Sequence, residues 1–327
     1  MRAAVLSAFG SPLCVTDLPD PVRGPGEVLV RIRASGINPL DTKIRRGEAA
    51  HAAVVLPAVL GIDMAGTVEA VGPEVTEFTV GDDVYGMTGG VGGLQGSLAE
   101  LAVVDSRLLA IKPHALTMRE AAAVPLAFIT AWEGLVDRAQ VQSGQRVLIH
   151  GGAGGIGHVA VQLALSVGAE VYATGSSASQ DFIGALGATP IDYSASTVAE
   201  YVSDHTGGDG FDVVFDTVGG SILDDSFTAA RRYTGHVVSA LGWGSHSLAP
   251  LSFRGATYSG VFTLLPLLTG QCREHHGEIL WHATKLANSG GLNPRVNPQS
   301  FTLDTVGDAY IATESGGRRG KSVVSLE

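Results

Sequence analysis

The sequence predicts an α/β protein in which a β-rich, barrel-like domain precedes a doubly wound parallel sheet, and three observations carry that prediction. Val147-Leu148-Ile149 runs into the glycine cluster 151–157. Apolar residues then recur at Ile156, Val159, Ala160, Leu163 and Val167, so the order is strand, tight turn, helix. Beyond residue 124, strand-like and helix-like periods alternate, which is the signature of parallel strands joined by crossover helices. Before roughly residue 110, short β-branched segments are cut by Pro and Gly.

In the first part, segments 27–33, 66–72 and 98–103 read as strands, with turn signals at Pro25-Gly26, Gly72-Pro73 and Gly81-Asp82. Thr117 followed by Glu120 makes a capping box, and 128–139 reads as helix, which sets a boundary near residue 124. After the glycine turn the pattern predicts strand 170–174, helix 180–186, strand 189–192, helix 197–206, strand 211–216, helix 222–231, and strands 236–239 and 257–262. With the opening strand these complete a six-stranded parallel sheet of the Rossmann kind. Past residue 265 the reading gives one helix, 274–288, and two strands, 300–303 and 322–326, too little for a domain. The expected organisation is therefore 1–123 with 266–327 as the barrel domain and 124–265 as the dinucleotide-binding domain.

Composition narrows the function classes. The 327 residues are 45% hydrophobic, enough for two cores, and the net charge of −11 with no block of like charge argues against nucleic acid or an anionic membrane surface. No apolar run is long enough to span a bilayer, and the N-terminal run is too short for a signal peptide. Cys14 and Cys272 form no Cys-x-x-Cys pair, which fits a reducing cytoplasm.

The glycine turn carries the first chemistry. Gly152-x-Gly154-x-x-Gly157 supplies a tight turn, bare backbone for a pyrophosphate and a close helix–strand approach, so residues Gly152, Ala153, Gly154, Gly155, Ile156 and Gly157 are expected to hold a dinucleotide on a helix N-terminus. Roughly 20 residues on, where an acid would bind a ribose 2′-hydroxyl, stands Thr174-Gly175-Ser176-Ser177-Ala178-Ser179. Gly175, Ser176 and Ser177 suit a 2′-phosphate, so NADPH is expected over NADH. No Lys or Arg is local, Asp181 counts against a phosphate, and Arg318, Arg319 and Lys321 are the distant candidates for the missing charge.

Several strings together resemble the medium-chain dehydrogenase/reductase superfamily over essentially the full length. Ser35-Gly36-Ile37-Asn38-Pro39-Leu40-Asp41 is similar to its zinc-independent quinone oxidoreductase, or ζ-crystallin-like, branch. Leu60–Val68, Val80–Gly86, Thr130-Ala131-Trp132-x-Gly134-Leu135 and Gly320-Lys321-Ser322-Val323-Val324 resemble the superfamily's barrel signature, linking helix and final strand. The resemblance implies a GroES-like β-barrel domain completed by the C-terminal segment, a Rossmann domain, and an active site in the cleft between them. It places Asn38 on the nicotinamide ribose or acceptor oxygen and Thr130 at the carboxamide. Tyr193 would reach toward the 2′-phosphate, Val218 and Gly219 would border the adenosine, and Leu241, Gly242, Phe262 and Thr263 would approach the nicotinamide. Asp41 and Lys43 are expected either to form an ion pair or to offer a proton donor at the cleft.

Zinc-dependent members carry Cys where this chain has Asn38, and Gly-His-Glu where it has Gly61-Ile62-Asp63; the four-cysteine lobe is also missing. No metal is expected, and the cluster His275, Glu278 and His282 reads as a solvated helix surface. Without a Lewis acid, oxidation of an unactivated alcohol is difficult, whereas an electrophilic acceptor can still take hydride. The expected activity is NADPH-dependent reduction of quinones or conjugated carbonyls. The alternatives are a 2-enoyl thioester or enone reductase, and a cofactor-binding crystallin-like protein with little turnover. A homodimer is expected through the apolar edge strand near 256–262.

Overall fold

Val147, Leu148 and Ile149 are wholly buried, as a strand covered on both faces requires, and Arg146–His150 lies inside a six-stranded sheet. This computed structural model describes residues 1–316 and 320–326. They separate into Met1–Ile129 with Leu264–Glu327, and Thr130–Thr263.

In the second unit the strand order is Thr189–Asp192, Glu170–Gly175, Arg146–His150, Val213–Asp216, His236–Ser239, Thr257–Gly260, with every neighbouring pair parallel. The chain winds one way from Arg146–His150 and then the other from Val213–Asp216, so the order reverses between those two strands. Ligands of open α/β sheets bind at the carboxyl ends beside such a reversal. The core packs Leu148, Val214 and Val237 against Tyr172, Phe211, Tyr201 and Phe227, the aromatic rings of Tyr172 and Phe211 meeting edge to face at 5.3 Å.

In the first unit the alternation over Glu27–Gly36 becomes a ten-residue strand with alternate residues buried. It pairs antiparallel with Asp63–Val71, with two register shifts, and with Leu101–Asp105. Asp83–Met87 and Leu109–Ile111 extend the same sheet. The C-terminal strand Val323–Ser325 joins its other side, with Val323 opposite Gly36, and Phe301–Thr302 pairs next to it. Val28, Val30, Ile32, Met64, Val68, Val84 and Val104 fill the interior.

Several elements differ from expectation. The strand expected over 211–216 starts at Val213, because Phe211 forms an isolated bridge to Ala230 instead. The helix expected over 128–139 is realised as Pro125–Trp132, which passes into a π-helical turn at Glu133–Arg138. Among the described residues, the region from 265 on holds three α-helices, not one: Leu265–Thr269, Arg273–Asn288 and Val306–Glu314. Val306, Ala309 and Tyr310 of the last are buried at helical spacing, and that tertiary contact overrides the weak propensity of a Gly- and Thr-bearing segment. No helix among the described residues is long and apolar enough to cross a membrane.

Candidate active site

The glycine turn leaves the sheet at His150. Gly152 donates its N–H to the Thr174 carbonyl at 2.9 Å, and Gly154 donates to Gly151 at 2.8 Å, closing the turn. A Cβ at Gly157 would fall 2.0 Å from the Gly151 oxygen, so only glycine lets the helix Gly157–Ser166 start so close to the strand. At Gly155, by contrast, a Cβ would meet nothing within 4 Å. Bare backbone therefore faces open space at the positive end of a ten-residue helix, and this cradle fits a pyrophosphate.

A buried polar network stiffens the floor of the cradle. Asp216, which follows an apolar run at the end of Val213–Asp216, accepts the Ser239 hydroxyl at 2.7 Å and the N–H groups of Val218 and Gly219 at 2.9 Å each. The Thr217 hydroxyl donates to the His150 carbonyl at 2.7 Å, and the His150 ring lies 3.2 Å from the Thr174 hydroxyl. Burial pushes the His150 imidazole down to about 4, against the attraction of Asp216, so the ring is neutral at ordinary pH. None of His150, Asp216 or Ser239 stands out as a site residue in the sequence. A lone acid closing an apolar strand was the available signal.

The expected nucleotide residues gather at one end of this sheet. Gly175 ends the strand next to the glycine turn and Ser176 and Ser177 follow it, while Tyr193, 58% exposed, follows the edge strand Thr189–Asp192. Val218 and Gly219, then Leu241 and Gly242, then Phe262 and Thr263 follow the three strands on the other side. Phe262 meets Trp243 edge to face at 6.0 Å. Thr130 is buried on the helix Pro125–Trp132 and is not at a strand end. Arg318 and Arg319 lie outside the described residues. Lys321 is not a free counter-charge: its ammonium is ion-paired with Asp63 in the first unit, and its side chain is 9% exposed.

The residues expected to carry chemistry sit where Glu27–Gly36 gives way to the helix Pro39–Arg46. Asn38 caps that helix, with Pro39 at its first position, where a missing N–H costs nothing. The Asn38 side chain is buried, and its Nδ2 donates to Asp63 Oδ2 at 3.0 Å. The same Asp63 oxygen meets Lys321 Nζ, and Oδ1 accepts the Leu126 N–H at 2.9 Å. A carboxylate only accepts, so it fixes which way the amide faces, while the Asn38 side chain also closes a capping box with the Asp41 backbone. Asp41 accepts the Asn38 backbone N–H at 2.8 Å and is wholly buried, which pushes its carboxyl up to about 7.

Here the ion pair expected between Asp41 and Lys43 is corrected, as is Asp41 as an exposed donor. Two positions apart on a helix they point to different sides; Lys43 is exposed and Asp41 buried, so no ion pair joins them. The cation that meets a carboxylate here is Lys321, on Asp63. Asp41 is not open to solvent as a proton donor either, its Oδ1 being enclosed without a partner.

The donor set does not fit zinc. At the place where zinc-dependent relatives supply ligands, Ile62 is buried hydrocarbon, Asn38 turns its amide nitrogen to Asp63, and Asp63 is committed to an ammonium. On the helix Arg273–Asn288, His275 pairs with Glu278 at 3.3 Å. No group of three or more metal-type side chains is found among the described residues.

Residues 24–114 match the family "Alcohol dehydrogenase GroES-like domain", and residues 155–271 match "Zinc-binding dehydrogenase". The chain is 35% identical over 306 residues to a 2-methylene-furan-3-one reductase of Solanum lycopersicum, covering 91% of this chain and 71% of that protein. It is 33% identical over 306 residues to an NADPH-dependent alkenal/one oxidoreductase of Arabidopsis thaliana chloroplasts, covering 91% and 72%. A spectinabilin polyketide synthase system protein, NorB of Streptomyces orinoci, is 41% identical over 207 residues; that match covers 63% of this chain but only 9% of NorB. Among solved structures, an alcohol dehydrogenase superfamily protein from Novosphingobium aromaticivorans superposes with a TM-score of 0.98 at 56% identity over the full length of both chains. The CurK enoyl reductase superposes at 0.85 with 27% identity, over 100% of this chain and 99% of that one. The chain belongs to the medium-chain dehydrogenase/reductase superfamily, in its quinone oxidoreductase-like branch.

Proposed function

We propose that the protein is an NADPH-dependent reductase that delivers hydride to quinones or to carbon–carbon double bonds conjugated to a carbonyl. The observation that carries this reading is the Asn38–Asp63–Lys321 cluster, a hydrogen-bonded ion pair where zinc-dependent relatives place metal ligands. The cradle at 152–157 would hold the pyrophosphate, and the residues after the neighbouring strands would border the rest of the dinucleotide. NADPH, once bound, supplies hydride from its nicotinamide. By the family resemblance, the Asn38 side-chain amide, oriented by Asp63, would serve the oxyanion that develops on the acceptor and the nicotinamide ribose. The proton that completes the product comes from solvent. The names of two relatives, a furanone reductase and an NADPH-dependent alkenal/one oxidoreductase, support electrophilic acceptors.

The likeness to an enoyl reductase favours a second reading, reduction of 2-enoyl thioesters with the same cofactor and the same Asn38. Following NADPH absorbance with a panel of quinones, enones and enoyl thioesters separates the two. Turnover confined to thioesters would replace the first reading by the second. Replacing Asn38 by Ala is expected to lower kcat about 100-fold, as loss of one oxyanion donor does, and to weaken NADPH binding by the smaller amount that one ribose contact supplies. An unchanged kcat would remove Asn38 from the mechanism.

A further inference from the structure

The loop expected to receive the 2′-phosphate has already committed the Ser177 hydroxyl and one of the Ser176 and Ser179 hydroxyl hydrogens. Ser177 Oγ donates its one hydrogen to Asp192 Oδ2 at 2.5 Å. The other oxygen, Oδ1, takes the Ser194 N–H at 2.9 Å and the Ser194 hydroxyl at 2.6 Å. Gln180 Nε2 donates to the carbonyls of Gly175 and Ser176 at 3.1 Å each, and the Ser176 and Ser179 hydroxyls bond each other at 3.0 Å. The hydrogen bonds from Ser177 and Ser194 hold the Asp192 carboxyl below its usual range, so it stays ionised at neutral pH. Charge points the same way, since the sequence has no Lys or Arg between Arg146 and Arg231.

Resting on the dinucleotide reading above, we infer that Asp192, through its grip on Ser177, is a specificity-determining residue that works against a ribose 2′-phosphate and keeps NADH usable. A phosphate at Ser176–Ser177 meets a carboxylate one hydroxyl away, and Ser177 can donate to it only by leaving Asp192. A 2′-hydroxyl meets neither penalty, because Ser177 Oγ remains an acceptor. Asp192→Asn changes both factors at once. It removes the charge, its Oδ1 still accepts the Ser194 N–H, and its Nδ2 donates to Ser177 Oγ, which frees the Ser177 hydrogen for a phosphate oxygen.

The test is direct binding to the apo protein by calorimetry, comparing adenosine 2′,5′-bisphosphate with adenosine 5′-monophosphate. Asp192→Asn is expected to tighten the bisphosphate by about fivefold or more and leave the monophosphate within about twofold, as removal of one half-exposed like charge predicts. Asp192→Ser removes the same charge, keeps an oxygen for the Ser194 N–H and is expected to behave alike; it serves if the first variant unfolds. An unchanged ratio of the two affinities, or equal tightening of both nucleotides, overturns the inference while leaving the dinucleotide site standing. Failure of the unaltered protein to bind either nucleotide overturns both.

Discussion

Asp41 ties the stability of the helix that carries Asn38 to pH. Its carboxyl titrates near 7 in the fold against an ordinary value of 3.8, so the folded chain holds this proton more tightly than the unfolded chain does. The stabilisation is fully present below about pH 4, declines as pH rises and is gone above about pH 7, a span worth roughly 4 kcal/mol. Asp41→Asn keeps an oxygen for the Asn38 N–H but carries no charge. Urea unfolding is expected to show it more stable than the parent above about pH 7, with a flatter profile from about 4 to 7; an unchanged profile would refute the assignment. The pair Asp63 and Lys321 yields a second expectation. Asp63 is fully buried and Lys321 nearly so, and removing either alone leaves an uncompensated buried group. Lys321→Met or Asp63→Leu is each expected to cost about 3–5 kcal/mol, with the double replacement far less than the sum. Additive losses would show that the pair is not coupled. Asn38 could be read from its neighbours in the sequence, but its orientation could not, because the pair that fixes it joins residues 258 positions apart.

The strand–turn–helix at 146–166 was readable because every local signal agreed: β-branched run, glycine spacing and helical periodicity. Its glycines are nonetheless unequal. Gly157→Ala would drive a methyl into the Gly151 carbonyl, so loss of folded protein is expected, whereas Gly155→Ala enters open space. The Gly155 variant is expected to melt within a few degrees of the parent yet bind dinucleotide about tenfold or more weakly, since its methyl occupies the room a pyrophosphate needs. Undiminished binding would mean the cradle is not the phosphate site. The helices Pro39–Arg46 and Val306–Glu314 were not readable. The first opens on Asn-Pro, which reads equally as a turn, and the second owes its helicity to burial of Val306, Ala309 and Tyr310.

In the assembled chain, Thr257–Gly260 is an edge of the six-stranded sheet. The N–H groups of Thr257 and Val261 reach the neighbouring strand, so those of Tyr258 and Gly260 point outward and are free to pair with a second copy. The homodimer expected from the sequence is therefore proposed through this edge, and Gly260→Pro, which removes one outward donor, is expected to give monomers by light scattering. A parent protein that is itself monomeric would contradict the proposal. The α/β class and the succession of parallel strands were open to reading because the central strands, Arg146–His150, Val213–Asp216 and His236–Ser239, are local apolar runs. The site was only half open, since Asp63, Lys321 and Asp192 act through partners that the fold brings together. The central claim is hydride delivery without a metal, and the measurement that tests it most directly is NADPH consumption with an enone or quinone after exhaustive chelation. The expected result is an undiminished rate with no stoichiometric zinc in the protein; loss of activity on chelation that zinc alone restores would contradict it.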